Sequence, residues 1–292
     1  MDKYLIINAD DFGMCHAANA ATIDLFEKGG ITSATIMTPC PWAPEALRFA
    51  QTHPEYAIGV HITFTSEWRK YCWRPVSPTP CPSLRDHRGY MHFHCDDFEK
   101  NAKTADVEAE MIAQIEFARS FGFEPSHCDN HMGAIYGLEG MQCFLPTMFK
   151  VCAKYGYPFR LPIISEKTET IIGVPVTGPL ESLMRAMNAV ADQYNVPLLD
   201  HLWEHSWDGP QSDSYENFRD YMLERFHHCP DGIVETYIHP SIECDELANT
   251  TSVPFRRIWE HRLFGDPATR KHIEALGIQL INYRDLKKMR GQ

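Results

Sequence analysis

No long hydrophobic run occurs in the 292 residues, so no segment reads as a membrane-spanning helix. Basic residues are in short supply. Twenty-seven lysines and arginines stand against 39 aspartates and glutamates, for a formal net charge of -12. That deficit argues against nucleic acid or an anionic membrane as partner, since both demand a basic surface. Cysteine is plentiful at ten residues, but no pair has Cys-x-x-Cys spacing, which argues against zinc knuckles and dithiol redox motifs. The opening apolar run, Tyr4 to Ala9, is too short for the core of a secretory leader and ends in two carboxylates. The expectation is a cytoplasmic chain with reduced thiols. Apolar residues make up 44%, enough for a large core.

Short apolar runs alternate with helix-forming stretches from end to end. Strands are expected at Tyr4 to Ala9, Ser33 to Met37, Ala57 to Thr65, Phe159 to Ile164 and Gly232 to Ile238, with a further one at Ile278 to Ile281 closing the set. Helices are expected at Ala17 to Lys28, Pro44 to Thr52, Thr104 to Gly122, Phe144 to Tyr155, Leu180 to Tyr194, Tyr215 to His228 and, as one or two pieces, Ile258 to Leu276. This alternation implies right-handed βαβ units around a parallel sheet, and about seven units suggest a barrel rather than an open sheet. No composition break marks a boundary, so residues 1–292 are read as a single domain. From Ser66 to Phe98 the periodicity fails. Trp68, Trp73, Pro75, Pro78, Pro80 and Pro82 give this stretch the composition of a long functional loop.

In α/β barrels the chemistry sits at the C-terminal ends of the strands. Collecting the polar residues found there gives Asp10 and Asp11, His61, the group His127, Asp129 and His131, then Arg160 and His239. Adjacent carboxylates such as Asp10 and Asp11 repel unless a cation lies beside them, although an Asx turn capping the next helix is the plainer alternative. A histidine inside an apolar strand, as in Ile58-Gly59-Val60-His61-Ile62, is commonly a core residue bonded to backbone. One carboxylate with two neutral imidazoles is nevertheless a usual divalent-metal set, and such a metal acidifies water and polarises a carbonyl. In an extended strand His127, Asp129 and His131 face one way, so spacing leaves open which histidine reaches the metal. His239 ends a strand where a general acid is needed, or else caps a turn. Arg160 is placed to orient Asp10 or to contact substrate, with a strand-end salt bridge as the plainer reading. Trp68 and Trp73 are expected to offer a platform for sugar rings, the alternative being a loop held down by its own aromatics.

The segments Asn8-Ala9-Asp10-Asp11-Phe12-Gly13, Gly59-Val60-His61-Ile62-Thr63, Pro125-Ser126-His127-Cys128-Asp129-Asn130-His131 and Glu235-Thr236-Tyr237-Ile238-His239-Pro240 together resemble the YdjC-like carbohydrate deacetylase family, the chitooligosaccharide deacetylase group. The resemblance extends to a closing Ile281-Asn282-Tyr283-Arg284-Asp285-Leu286. It implies a distorted (β/α) barrel like that of the NodB-like polysaccharide deacetylases. It also implies one divalent ion, zinc or magnesium, held by Asp11, His61 and His131. Asp10 would be the general base and His239 the acid that protonates the leaving amine. The implied substrate is an N-acetylated sugar, and a homodimer is the assembly to test for. Met132-Gly133-Ala134-Ile135-Tyr136-Gly137 departs from the family, whose members often carry further histidines after the last metal motif.

Two rivals share these residues. A non-haem metal oxygenase uses the same two histidines and one aspartate but has no task for Asp10 or His239. A catalytically inactive sugar-binding barrel would bind oligosaccharide and release no acetate.

Overall fold

The computed structural model describes residues 2–140, 142–166 and 168–291. Strand β1 (Lys3–Phe12) leads to helix α1 (His16–Lys28), followed by β2 (Ser33–Ile36), α2 (Ala43–Thr52) and β3 (Ala57–Ile62). After a long loop come α3 (Cys95–Asn101), α4 (Thr104–Arg119), β4 (Cys128–Asn130) and α5 (Leu145–Tyr155). A small hairpin, β5 (Thr170–Ile171) and β6 (Val174–Pro175), precedes α6 (Gly178–Gln193), β7 (His201–Leu202), α7 (Tyr215–His227) and β8 (Gly232–Ile238). The chain ends with α8 (Asp245–Thr250), α9 (Pro254–Phe264), α10 (Pro267–Ala275), β9 (Ile278–Leu280) and α11 (Tyr283–Met289).

The strands are parallel in the order β4-β3-β2-β1-β8-β7. Phe159 to Ile164 was expected to form a full strand and does not. Proline at positions 158 and 162 removes two ladder donors, so only single bridges form, Cys128 to Phe159 and Pro162 to Leu199. Those bridges still join β4 to the 197–202 segment. Arg160 N donates to Cys128 O at 3.1 Å, Phe159 N to Pro197 O at 3.1 Å and Leu199 N to Leu161 O at 3.1 Å. The result is the expected distorted α/β barrel, irregular on one side. Strand β9 does not close it: Ile278–Leu280 pairs instead with Lys3–Leu5 at the start of β1, beside the stretch that β2 takes higher up.

The outer faces of the strands are apolar, with Leu5, Ile7, Ala34, Ile36, Ile58, Val60, Ile62 and Val234 packed under the helices. The inner side is divided by height. At the N-terminal end Ile6, Leu199 and Ile233 pack with Tyr283 and Leu286, so α11 plugs that opening. Above them the interior turns polar, with Asn8, Asp10, Thr35, His61, Asp129, Arg160 and Glu235 all buried. Gly59 permits the close approach of β3 and β4, because a Cβ there would lie 2.5 Å from the carbonyl oxygen of His127.

Candidate metal centre and active site

Strand β1 was expected to stop at Ala9 and does not. It continues through the aspartates to Phe12, and its register against β2 shifts between Ala9 and Phe12. Asp11 sits in that irregularity with φ of 61°, a left-handed conformation that aspartate tolerates better than most residues. The bulge turns two neighbouring side chains to different tasks. Asp10 points at Arg160, and Asp11 points at the histidines.

Strand register brings the first histidine in, since His61 lies directly across from Asp129. His61 Nδ1 is 2.6 Å from Asp129 Oδ1, and Thr35 and Arg160 hold the other Asp129 oxygen at 2.8 and 3.0 Å. A carboxylate at Nδ1 accepts its proton, which leaves the His61 Nε2 lone pair free. His131 follows β4 at the start of a 3-10 turn, and its Nε2 lies 3.1 Å from both Glu67 oxygens. The same logic frees His131 Nδ1. The two freed nitrogens are 3.2 Å apart, and Asp11 Oδ1 is 3.6 Å from the first and 3.3 Å from the second. Asp11 Oδ1 is buried and has no hydrogen-bond partner among the described residues. With both imidazoles neutral, three acceptors converge without a donor, which fits a cation.

Charge argues the same way. Four buried carboxylates, Asp10, Asp11, Asp129 and Glu235, share this space with two guanidiniums, Arg160 and Arg257. Burial opposes charge on Asp10, but Arg160 outweighs it and holds the carboxyl well below its usual range. Arg257 and His131 do the same for Asp11 against the same burial penalty. Burial raises Glu235 to about 7, only partly offset by Arg160. Burial disfavours a charged His131, yet Glu67 and Asp11 raise it to about 10. This spot favours positive charge, which a metal ion supplies without a proton.

Arg160 is 3% exposed, and its guanidinium is fully occupied. Nη1 and Nη2 each meet an Asp10 oxygen at 2.7 Å, and Nε meets Glu235 at 2.8 Å. The expected substrate contact is therefore corrected: Arg160 fixes Asp10. Trp73 is 2% exposed, donates Nε1–H to Thr65 O at 2.8 Å and makes a T-shaped contact with the His131 ring. Trp68 is 9% exposed and packs with Tyr71 and Trp73. Neither offers a ring face to a sugar, so the loop is held down by its own aromatics. His127, the other candidate ligand, is buried against Tyr283 with ring centroids 3.7 Å apart and takes no part in the cluster.

His239 Nε2 lies 4.0 Å from Asp10 Oδ2 at the wall of a cavity of about 270 Å³. Desolvation holds this imidazole below its usual range, despite the pull of Asp11. Trp207, Tyr237, Arg256 and Arg257 line the same cavity. Sequence reading missed Trp207 because it lies in an irregular stretch between β7 and α7, with no helix or strand to mark it. It missed Arg257 because the helix was placed from Ile258, although Pro254 at its first position marks the true start. Glu67 stood unremarked in the loop.

The sequence model of the YdjC-like protein family matches residues 4–275. This chain belongs to the YdjC-like family. Its relatives include a carbohydrate deacetylase of Geobacillus stearothermophilus, 28% identical over 291 residues, covering 99% of this chain and 100% of that protein. A chitooligosaccharide deacetylase of Yersinia enterocolitica is 24% identical over 290 residues, covering 98% and 100%. Among solved structures, a protein of Enterococcus faecalis V583 to which cellobiose-phosphate cleavage has been ascribed superposes with a TM-score of 0.74. It is 28% identical and covers 98% of this YdjC-like chain and 99% of its own.

Proposed function

We propose that this YdjC-like chain is a metal-dependent hydrolase that removes acetyl groups from N-acetylated sugars or oligosaccharides. The observation that carries the reading is the convergence of Asp11 Oδ1, His61 Nε2 and His131 Nδ1, with Asp10 beside them but bound to Arg160. The names of its full-length relatives support the substrate class.

Asp11, His61 and His131 would hold one divalent ion, zinc or magnesium, which when bound supplies an acidified water and polarises the acetyl carbonyl. Asp10, ionised and immobilised by the two-pronged Arg160 contact, accepts the proton of the attacking water. His239, held below its usual range by burial, stands 4.0 Å from Asp10, a spacing that one bridging water spans, and is placed to deliver a proton to the departing amine. The products are acetate and a free amino sugar. An oxygenase leaves Asp10 and His239 without a task, and a pure binder has no use for a base held beside the metal. The whole chain acting as one domain, a cytoplasmic location and a homodimeric assembly belong to the same proposal.

The test is an acetate-release screen over N-acetylated mono- and oligosaccharides with zinc, magnesium, manganese or cobalt. Release that stops with chelator and returns with metal supports the reading. No release from any sugar with any metal contradicts it.

A further inference from the structure

The wall of the 270 Å³ cavity holds a residue that the proposed mechanism does not use. Arg257 lies in the first turn of α9 and donates from Nη2 to Asp11 Oδ2 at 2.7 Å. Its other terminal nitrogen, Nη1, is buried and has no hydrogen-bond partner among the described residues. Nε of the neighbouring Arg256 is in the same condition, with its guanidinium 5.3 Å over the Trp207 ring. Unpaired buried donors are costly, and native structures keep them where something else completes the bond. Here both arginines line one cavity with the rings of Trp207 and Tyr237, and His239 stands at the same wall. Aromatic faces beside hydrogen-bond donors suit a sugar, which presents C–H faces and an oxygen-rich rim.

We propose that Arg257 is a positioning residue that joins the metal site to the sugar. Nη2 turns the Asp11 carboxylate so that Oδ1 faces His61 and His131, and Nη1 donates to a hydroxyl or carbonyl oxygen of the acetylated sugar in the cavity. The inference rests on the deacetylase reading for the identity of the ligand. A planar guanidinium presents two separated terminal nitrogens, one to each partner, whereas the donors of lysine all sit on one nitrogen and cannot span the same two positions.

Calorimetric titration of the full chain with Zn2+ alone, then of the Zn2+-loaded chain with an N-acetylated disaccharide, reads the two halves separately. Arg257→Lys keeps a cation beside Asp11. It is expected to bind Zn2+ within about threefold of the unaltered chain and the disaccharide at least about tenfold more weakly. Arg257→Met is expected to lose about tenfold or more in Zn2+ affinity as well. Circular dichroism checks that both variants fold. Unchanged disaccharide affinity in Arg257→Lys, or no disaccharide binding by the unaltered chain, overturns the sugar half. Unchanged Zn2+ affinity in Arg257→Met overturns the positioning half. Disaccharide binding without acetate release defeats the hydrolase reading and leaves this assignment standing.

Discussion

His61 Nδ1 lies 2.6 Å from Asp129 Oδ1, and this one contact decides which nitrogen of His61 faces the metal centre. Strand pairing sets it, because the β3–β4 register places the two residues side by side. Asp129 is in turn held by Thr35 and Arg160, so the orientation of the imidazole is fixed from the barrel interior.

Removing that support should loosen the metal without touching a ligand. Asp129→Asn is expected to lower Zn2+ affinity by about 10- to 100-fold, the usual effect of disturbing the partner of a metal-bound histidine. Competition with a chromogenic chelator measures it. Affinity equal to that of the unaltered chain would remove Asp129 from the metal site.

Asp10 and the metal ligands should separate cleanly by experiment. Asp10→Asn is expected to retain stoichiometric metal, measured by elemental analysis, while turnover falls by about 100- to 10,000-fold. His61→Ala should lose the metal itself. A variant at Asp10 that still turns over normally contradicts its role as base.

The two tryptophan groups should respond in opposite ways. Trp73→Ala opens a cavity in a buried site and is expected to cost about 3–5 kcal/mol in denaturant unfolding. Trp207→Ala, at the cavity wall, is expected to raise KM for an N-acetylated disaccharide several-fold with a smaller loss of stability. A large KM effect confined to Trp73→Ala would restore the platform to the 66–98 loop.

Glu235 gives a pH dependence of definite sign. Its folded-state pKa, about 7, exceeds the ordinary carboxyl value of 4.5 because of burial. The unfolded chain therefore releases this proton first as pH rises, and between about 4.5 and about 7 the folded state loses stability from this group. Glu235→Gln removes that loss. The stability difference, variant minus unaltered protein, should grow with pH across this window in metal-free protein. Denaturant titrations at several pH values measure it, and a flat difference contradicts the assignment.

The motifs carried more of the site than of the fold. Asp10, Asp11, His61 and His131 stand at strand ends within short, dissimilar segments; the first three interrupt apolar runs, and His131 ends the polar segment that begins at Pro125. The partners that tune them were hidden for separate reasons. Arg257 and Glu67 meet Asp11 and His131 only through long-range folding, with nothing local to single them out. Arg160 was visible, but its three carboxylate partners come from β1, β4 and β8, and only the closed ring reveals that it is saturated. The strand at residues 159–164 read as regular because apolar content cannot register the two prolines that break its ladder. The bulge at Asp11 likewise leaves no mark in the hydropathy pattern.

The most direct test is anomalous diffraction from crystals grown with zinc or manganese, with data collected on both sides of the metal edge. The account predicts one strong peak within bonding distance of Asp11 Oδ1, His61 Nε2 and His131 Nδ1, with Asp10 outside the coordination sphere and still paired to Arg160. A chain saturated with metal that shows no peak there, or a peak bound through His127 or Asp10 instead, contradicts it.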